Sequence, residues 1–146
     1  MKLASFQKVT SVEPIEGADK IVKIVVNGHE LVTQKTNNLK EGDLVCYFEV
    51  DTMLPLDSTF SWLASNQTNS SQGEGYRITP RKTKGILSDG LCLPISYFEE
   101  MGLCKVIDNL YGNKFLKFYS TSASYDIKEG VDLTKGLNAW KFEEAK

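Results

Sequence analysis

The chain has 146 residues, of which 41% are hydrophobic and 25% charged, with a mass of 16.3 kDa. That is the size and composition of one soluble globular domain, large enough to bury a core without disulfides or a structural metal. With 17 Lys and Arg against 19 Asp and Glu, the net charge is −2, which excludes a globally basic nucleic-acid binder and leaves that role to a local patch or a partner domain.

The first elements read as strands. Phe6 to Val12 carries β-branched residues and meets Glu13-Pro14, which ends a strand. Pro14 to Lys20 reads as a turn or a single helical turn, with Asp19 as the cap of that next helical turn. Ile21 to Val26 is an apolar run broken only by Lys23, and Asn27-Gly28 predicts a type I′ hairpin turn returning through Glu30 to Thr33. Lys40 to Asp43 is a further turn, launching a strand over Leu44 to Val50. There Leu44, Cys46, Phe48 and Val50 share one face, and alternation predicts a half-buried strand with Glu49 and Asp51 toward solvent.

The pattern then breaks. The stretch from about 57 to 75 is rich in Ser, Asn and Gln and reads as a mobile loop, anchored by a short helical turn at Phe60, Trp62 and Leu63. Tyr76 to Thr79 resumes as strand, and Gly85 to Pro94 is a turn feeding a buried strand. Ser96 to Met101 fits a short helix stopped by Gly102. Leu103 to Tyr119 reads as a hairpin around Tyr111 to Asn113, and Lys128 to Trp140 as a turn and tail. Phe48, Trp62, Phe98 and Phe115 are expected in the core or over the barrel ends.

Many short strands with glycine turns and one or two short helices predict a mostly β, OB-fold-like small barrel. It forms a single domain over residues 1–146, with its core at about 3–100 and 126–143 and an insertion at about 103–125. Cys46, Cys92 and Cys104 are odd in number and without paired spacing, and His29 is the one histidine. A disulfide framework and a structural zinc site are therefore not expected, and His29 reads as an exposed turn residue. The N-terminus lacks a signal-peptide pattern and no stretch is long enough for a membrane span. A cytoplasmic location with no membrane partner is expected, with nuclear or viral origin also open.

Charge is unevenly spread. Glu41 to Asp57 contains five acids and no base, whereas Tyr76 to Gly85 contains Arg77, Arg81, Lys82 and Lys84 and no acid. Cations beside an aromatic ring can hold phosphates while the ring stacks on a base, so Tyr76, Arg77, Arg81, Lys82 and Lys84 form the candidate RNA-binding site, with Lys35 a further candidate. A solvated basic loop is the bland alternative for the same residues.

Four blocks stand in order along the chain: Val12 to Ile21, Lys40 to Pro55, Tyr76 through Lys84-Gly85 to Pro94, and Glu129 to Glu143. Together they resemble the N-terminal OB domain of ATP-dependent RNA ligases of the Deinococcus and Naegleria type. The Trp62 to Gly75 loop is unmatched in that pattern, and the Leu103 to Tyr125 stretch is longer than the pattern has between its third and fourth blocks, an insertion. The resemblance implies a non-catalytic module that engages duplex or nicked RNA, followed by a C-terminal nucleotidyltransferase domain using ATP and magnesium to seal RNA ends or nicks. No Lys-x-Asp-Gly nucleophile motif occurs here: Asp89-Gly90 is preceded two residues earlier by Leu87. No catalytic residue, metal site or cofactor is therefore expected in this chain. The alternatives are a stand-alone OB-fold module binding tRNA or single-stranded RNA, and a protein-interaction domain using the acidic face.

Overall fold

The computed structural model describes residues 2–100, 104–108, 114–119, 124–126 and 129–144. The strands follow in chain order: β1 (Ala4–Pro14), β2 (Ile21–Val26), β3 (His29–Gln34), β4 (Leu44–Phe48), β5 (Thr52–Leu54), β6 (Gln67–Ser70) and β7 (Gly73–Arg77). Then come β8 (Arg81–Thr83), β9 (Ile86–Ser88), β10 (Leu91–Pro94), β11 (Cys104–Asp108), β12 (Lys114–Tyr119), β13 (Ser124–Asp126) and β14 (Trp140–Lys141). One α-helix, α1 (Ile95–Glu100), follows β10, and 3-10 segments lie at Lys35–Asn37 and Ser58–Asn66. No helix among these residues is long and apolar enough to cross a membrane.

A five-stranded sheet in the order β10-β4-β1-β2-β3 is the frame. The first half of β1 pairs antiparallel with β4, from Ala4 opposite Phe48 to Lys8 opposite Leu44, and its second half pairs with β2. The register slips between Val9 and Ser11, a bulge that lets one strand serve both partners while the sheet curls. The Lys40–Asp43 turn clamps this bend: the Val9 amide donates to Asp43 O at 2.8 Å and the Gly42 amide to Val9 O at 2.7 Å. Asn27 and Gly28 have φ of 52° and 79°, the left-handed pair a type I′ turn requires, so the β2–β3 hairpin forms as its sequence predicts. Asp19 caps no helical turn, because β2 starts at Ile21.

Both faces of the sheet are covered. On one, Ala4, Phe6, Cys46, Phe48 and Leu93 join Leu54, Phe60, Leu63, Tyr76 and Phe98 in a core that extends to Leu133 and Leu137. On the other, Val9, Ile24, Val26, Leu31, Val45, Tyr47 and Cys92 form a second cluster. β4 is therefore buried on both sides rather than half-buried, and it ends at Phe48. Glu49 and Val50 lead into a turn in which Asp51 takes φ of 70°. Phe48 and Phe98 are buried as expected, whereas Trp62 is 49% exposed.

Where β2 leaves β1, the chain's later residues take its place. The Gly130 amide donates to Phe6 O at 2.7 Å, the Phe6 amide to Val131 O at 3.0 Å, and the Leu133 amide to Ala4 O at 2.8 Å. The polar stretch expected as a loop is structured. Its first part is the 3-10 segment, held by Phe60 and Leu63, and its second is the β6–β7 hairpin, in a sheet ordered β14-β5-β7-β6. Backbone pairing, with Gly73 at φ of 117° opening β7 after the turn, makes strands from residues whose side chains carry no apolar alternation. The segment after residue 100 contributes a three-stranded antiparallel sheet, β11-β12-β13, which adds a strand to the expected hairpin. The expected turn at Tyr111 to Asn113 lies outside the described residues.

Gly90 joins β9 to β10 with φ of 134°, and a Cβ there would stand 2.6 Å from Phe48 O and 2.8 Å from the Tyr47 ring. Gly90→Ala is expected to destabilise the domain by about 2–4 kcal/mol in urea denaturation, from backbone strain plus overpacking. An unchanged midpoint would show that this turn is free to relax.

Candidate nucleic-acid interface

The curled sheet leaves a seam. No ladder joins its end strands β3 and β10 among the described residues, and an open groove of about 590 Å³ lies along that edge. Val32 to Gln34 of β3 form one bank and Leu91 to Pro94 the other. The β8–β9 hairpin lies across one end, where the Val32 amide donates to Ser88 Oγ at 2.9 Å and the Asp89 amide to Glu30 O at 3.3 Å. The far wall is Trp62 of the 3-10 segment and Tyr97 of α1.

Neutral groups dominate the lining. Gln34, Asn37, Asn66, Thr79 and Thr83 offer amides and hydroxyls, and Arg81 is the single charged side chain among the lining residues. Asn66 is the hub. Its side-chain N–H donates to Arg77 O at 2.9 Å and its Oδ1 accepts from the Arg81 guanidinium at 2.9 Å, holding Arg81 at the groove. The Trp62 indole N–H donates to the Tyr97 oxygen at 2.8 Å, and the two rings meet edge to face at 6.1 Å. Tyr97 in turn packs edge to face on the buried ring of Phe98.

The residues selected from the sequence separate in space. Tyr76 is 7% exposed and its ring belongs to the core, so it offers no stacking surface. Arg77 is committed to structure: its Nη2 and Nε lie 2.8 and 2.9 Å from Asp51 Oδ1, and its guanidinium sits 3.7 Å over the Phe142 ring. Arg81 and Thr83 line the groove, which places Lys82, between them on a two-residue repeat, on the opposite face of the hairpin. Lys84 is exposed at the hairpin tip in a left-handed conformation with φ of 51°, beside a shallow recess also lined by Glu13 and Glu16. Lys35 is exposed between Gln34 and Asn37, both of which line the groove.

From the sequence Trp62 reads only as an anchoring or barrel-end aromatic, and Tyr97 and Asn66 carry no assigned role. The discernible signal was a tryptophan entering a polar stretch, but its meeting with Tyr97 depends on the fold. His29 is more than a turn residue: Nδ1 lies 2.8 Å from Asp89 Oδ2 and the ring stacks on Tyr47 at 5.3 Å, tying the β2–β3 hairpin to the Gly90 turn. Tyr47 OH donates to Asp89 O at 2.7 Å. Burial first, then the Asp89 carboxylate, pushes the Tyr47 phenol above its ordinary range. Burial likewise pushes the Cys92 thiol, in the second buried cluster, up to about 12. No group of three potential metal-ligating side chains occurs among the described residues.

Residues 3–95 match the OB-fold domain family. No curated protein matches the chain. Among solved structures, the chain is similar to the Naegleria gruberi RNA ligase with PPi, with a TM-score of 0.72 and 26% identity over 100% of this chain and 36% of that one. A mutant of that ligase with ATP and Mn gives a TM-score of 0.71 and 27% identity over 97% of this chain. Another, with AMP and Mn, gives 0.71 and 26% over 98%. The chain spans 36% of the length of that ligase and resembles its N-terminal part.

Removing Arg77 leaves Asp51 and the Phe142 ring without their shared partner. Arg77→Ala is expected to cost roughly 1–3 kcal/mol in chemical denaturation, and parental stability in the variant would show that the clamp contributes nothing. A second expectation concerns alkaline pH. The unfolded chain ionises Cys92 near its ordinary 9.0, whereas the folded chain holds the thiol neutral to about 12. The unfolded state therefore loses its proton first, and stability is full below pH 9 and falls as pH rises through that window, by at most about 1.4 kcal/mol per pH unit from this group. Tyr47, raised above its usual 10.0, acts in the same direction. Urea midpoints from pH 8 upward test this, with Cys92→Ser and Tyr47→Phe each expected to flatten the decline.

Proposed function

The chain belongs to the OB-fold domain family, and from that membership we propose that it is the RNA-engaging, non-catalytic N-terminal module of an ATP-dependent RNA ligase that seals RNA ends or nicks. The observation that carries this reading is the similarity, over nearly the whole chain, to the N-terminal part of a ligase 26–28% identical to it. The chemistry of sealing belongs to a nucleotidyltransferase domain that supplies the lysine nucleophile and takes ATP and magnesium. The barrel's work is to bind and orient RNA, which turns a loose encounter into a positioned one.

The β8–β9 hairpin and the neighbouring groove provide the means. Arg81 presents a guanidinium held by Asn66, Lys82 and Lys84 present exposed ammonium groups, and Lys35 adds a fourth cation beside the groove. Phosphates paired with these groups release counterions, so the attraction weakens with salt. Arg77 and Tyr76 are left out of the binding set because one is paired and the other buried.

Fluorescence anisotropy with nicked duplex, intact duplex and single-stranded RNA across a salt series tests the proposal. The parent chain is expected to bind, with Arg81→Ala, Lys82→Ala and Lys84→Ala together lowering affinity and reducing the logarithmic salt slope by roughly 0.7–0.9 for each phosphate that is no longer neutralised. Absence of binding at low salt would falsify it.

A further inference from the structure

The geometry points to Trp62 as a stacking platform for an unpaired nucleotide beside the RNA break, with the neutral lining of the β3–β10 groove reading the edges of that base. This rests on the RNA-binding reading above and deepens it by naming the part of the substrate the groove takes.

Three independent observations lead there. First, Trp62 is held outward by its own segment. Phe60 and Leu63 are buried at 2% and 4%, and the backbone departs from helical angles at both, so Trp62, one of the two residues between them, is carried to the surface at 49% exposure. Second, its orientation is set before any ligand arrives, by the indole N–H bond to Tyr97 and by the Tyr97–Phe98 contact behind it. A fixed aromatic face loses little freedom on binding. Third, the surrounding groups suit a base rather than a run of phosphates: Gln34, Asn37, Asn66, Thr79 and Thr83 are neutral donors and acceptors, with Arg81 the single cation among them.

A base inside a helix is already stacked and paired and cannot offer its face to an indole, so the groove selects nucleotides outside the helix. Phosphate attraction by the hairpin and base stacking at Trp62 are then separable. The first falls steeply with salt, whereas the second, with one cation nearby, adds a salt slope of roughly 0.7 at most.

The test uses this chain with three RNA duplexes: blunt, carrying a short unpaired extension, and carrying the same extension with abasic residues. The extension is expected to tighten binding on the order of 5- to 150-fold, the range of one stacked base. Trp62→Ala should remove that gain, Trp62→Tyr should keep most of it, and abasic residues should lower affinity for the parent without further effect in Trp62→Ala. Emission from Trp62 should be quenched by the extended duplex, and a Trp62→Phe chain, which retains Trp140, should lose that quenching. Equal affinity for blunt and extended duplexes, or an extension gain that survives Trp62→Ala, overturns the inference while leaving the hairpin reading in place. Loss of all RNA binding from the parent overturns both. Urea midpoints close to the parental value are expected for the Trp62 variants, and a large drop would contradict the exposed placement on which the inference depends.

Discussion

The fold depends on one strand serving two partners. β1 is 11 residues long, pairs with β4 through its first half and with β2 through its second, and bends at the bulge between Val9 and Ser11. A straight β1 would give a flat sheet. The bend makes the sheet curl, brings β3 and β10 near one another without pairing them, and so creates the groove. It also exposes an edge of β1 near Phe6, whose backbone N–H and C=O would be unsatisfied beneath the core. The segment Gly130 to Leu133 satisfies them, which makes the later residues part of the barrel rather than a tail.

Burial on both faces explains how a short strand can be so central. β4 has five residues, and alternate side chains enter two different clusters: Cys46 and Phe48 on one side, Val45 and Tyr47 on the other. The stretch between β5 and β7 adds Phe60 and Leu63 to the layer on the Phe48 side, with Phe60 meeting Phe48 edge to face at 6.3 Å. The same stretch that closes the core also carries Trp62 to the groove. Stability and the candidate recognition surface are therefore built by one segment, with Asn66 linking it to Arg77 and Arg81.

Charge patterning had pointed to the region between Tyr76 and Gly85, and the fold divides its roles. Tyr76 fills the core, Arg77 clamps Asp51 and Phe142, Arg81 enters the groove, and Lys82 and Lys84 stay on the outer hairpin. Strand periodicity is the reason: adjacent residues point to opposite faces, so a basic run in sequence does not make a basic patch in space. The division also separates attraction for phosphates from contact with bases, two terms with different responses to salt.

Local chemistry was legible from the sequence alone. The Asn27-Gly28 hairpin, the Lys40–Asp43 turn, the short helix after Pro94 and the OB-type class follow from turn residues and alternation, because those act between neighbours in the chain. The ordered ligase-like blocks were legible for the same reason. Strand β6 and the Gly73 to Gly75 start of β7, the second buried face of β4, the His29–Asp89 tie and the pairing of Trp62 with Tyr97 were decided only by the tertiary structure. Each depends on partners brought together across long sequence separations, where backbone hydrogen bonds and close packing outweigh what a residue prefers by itself.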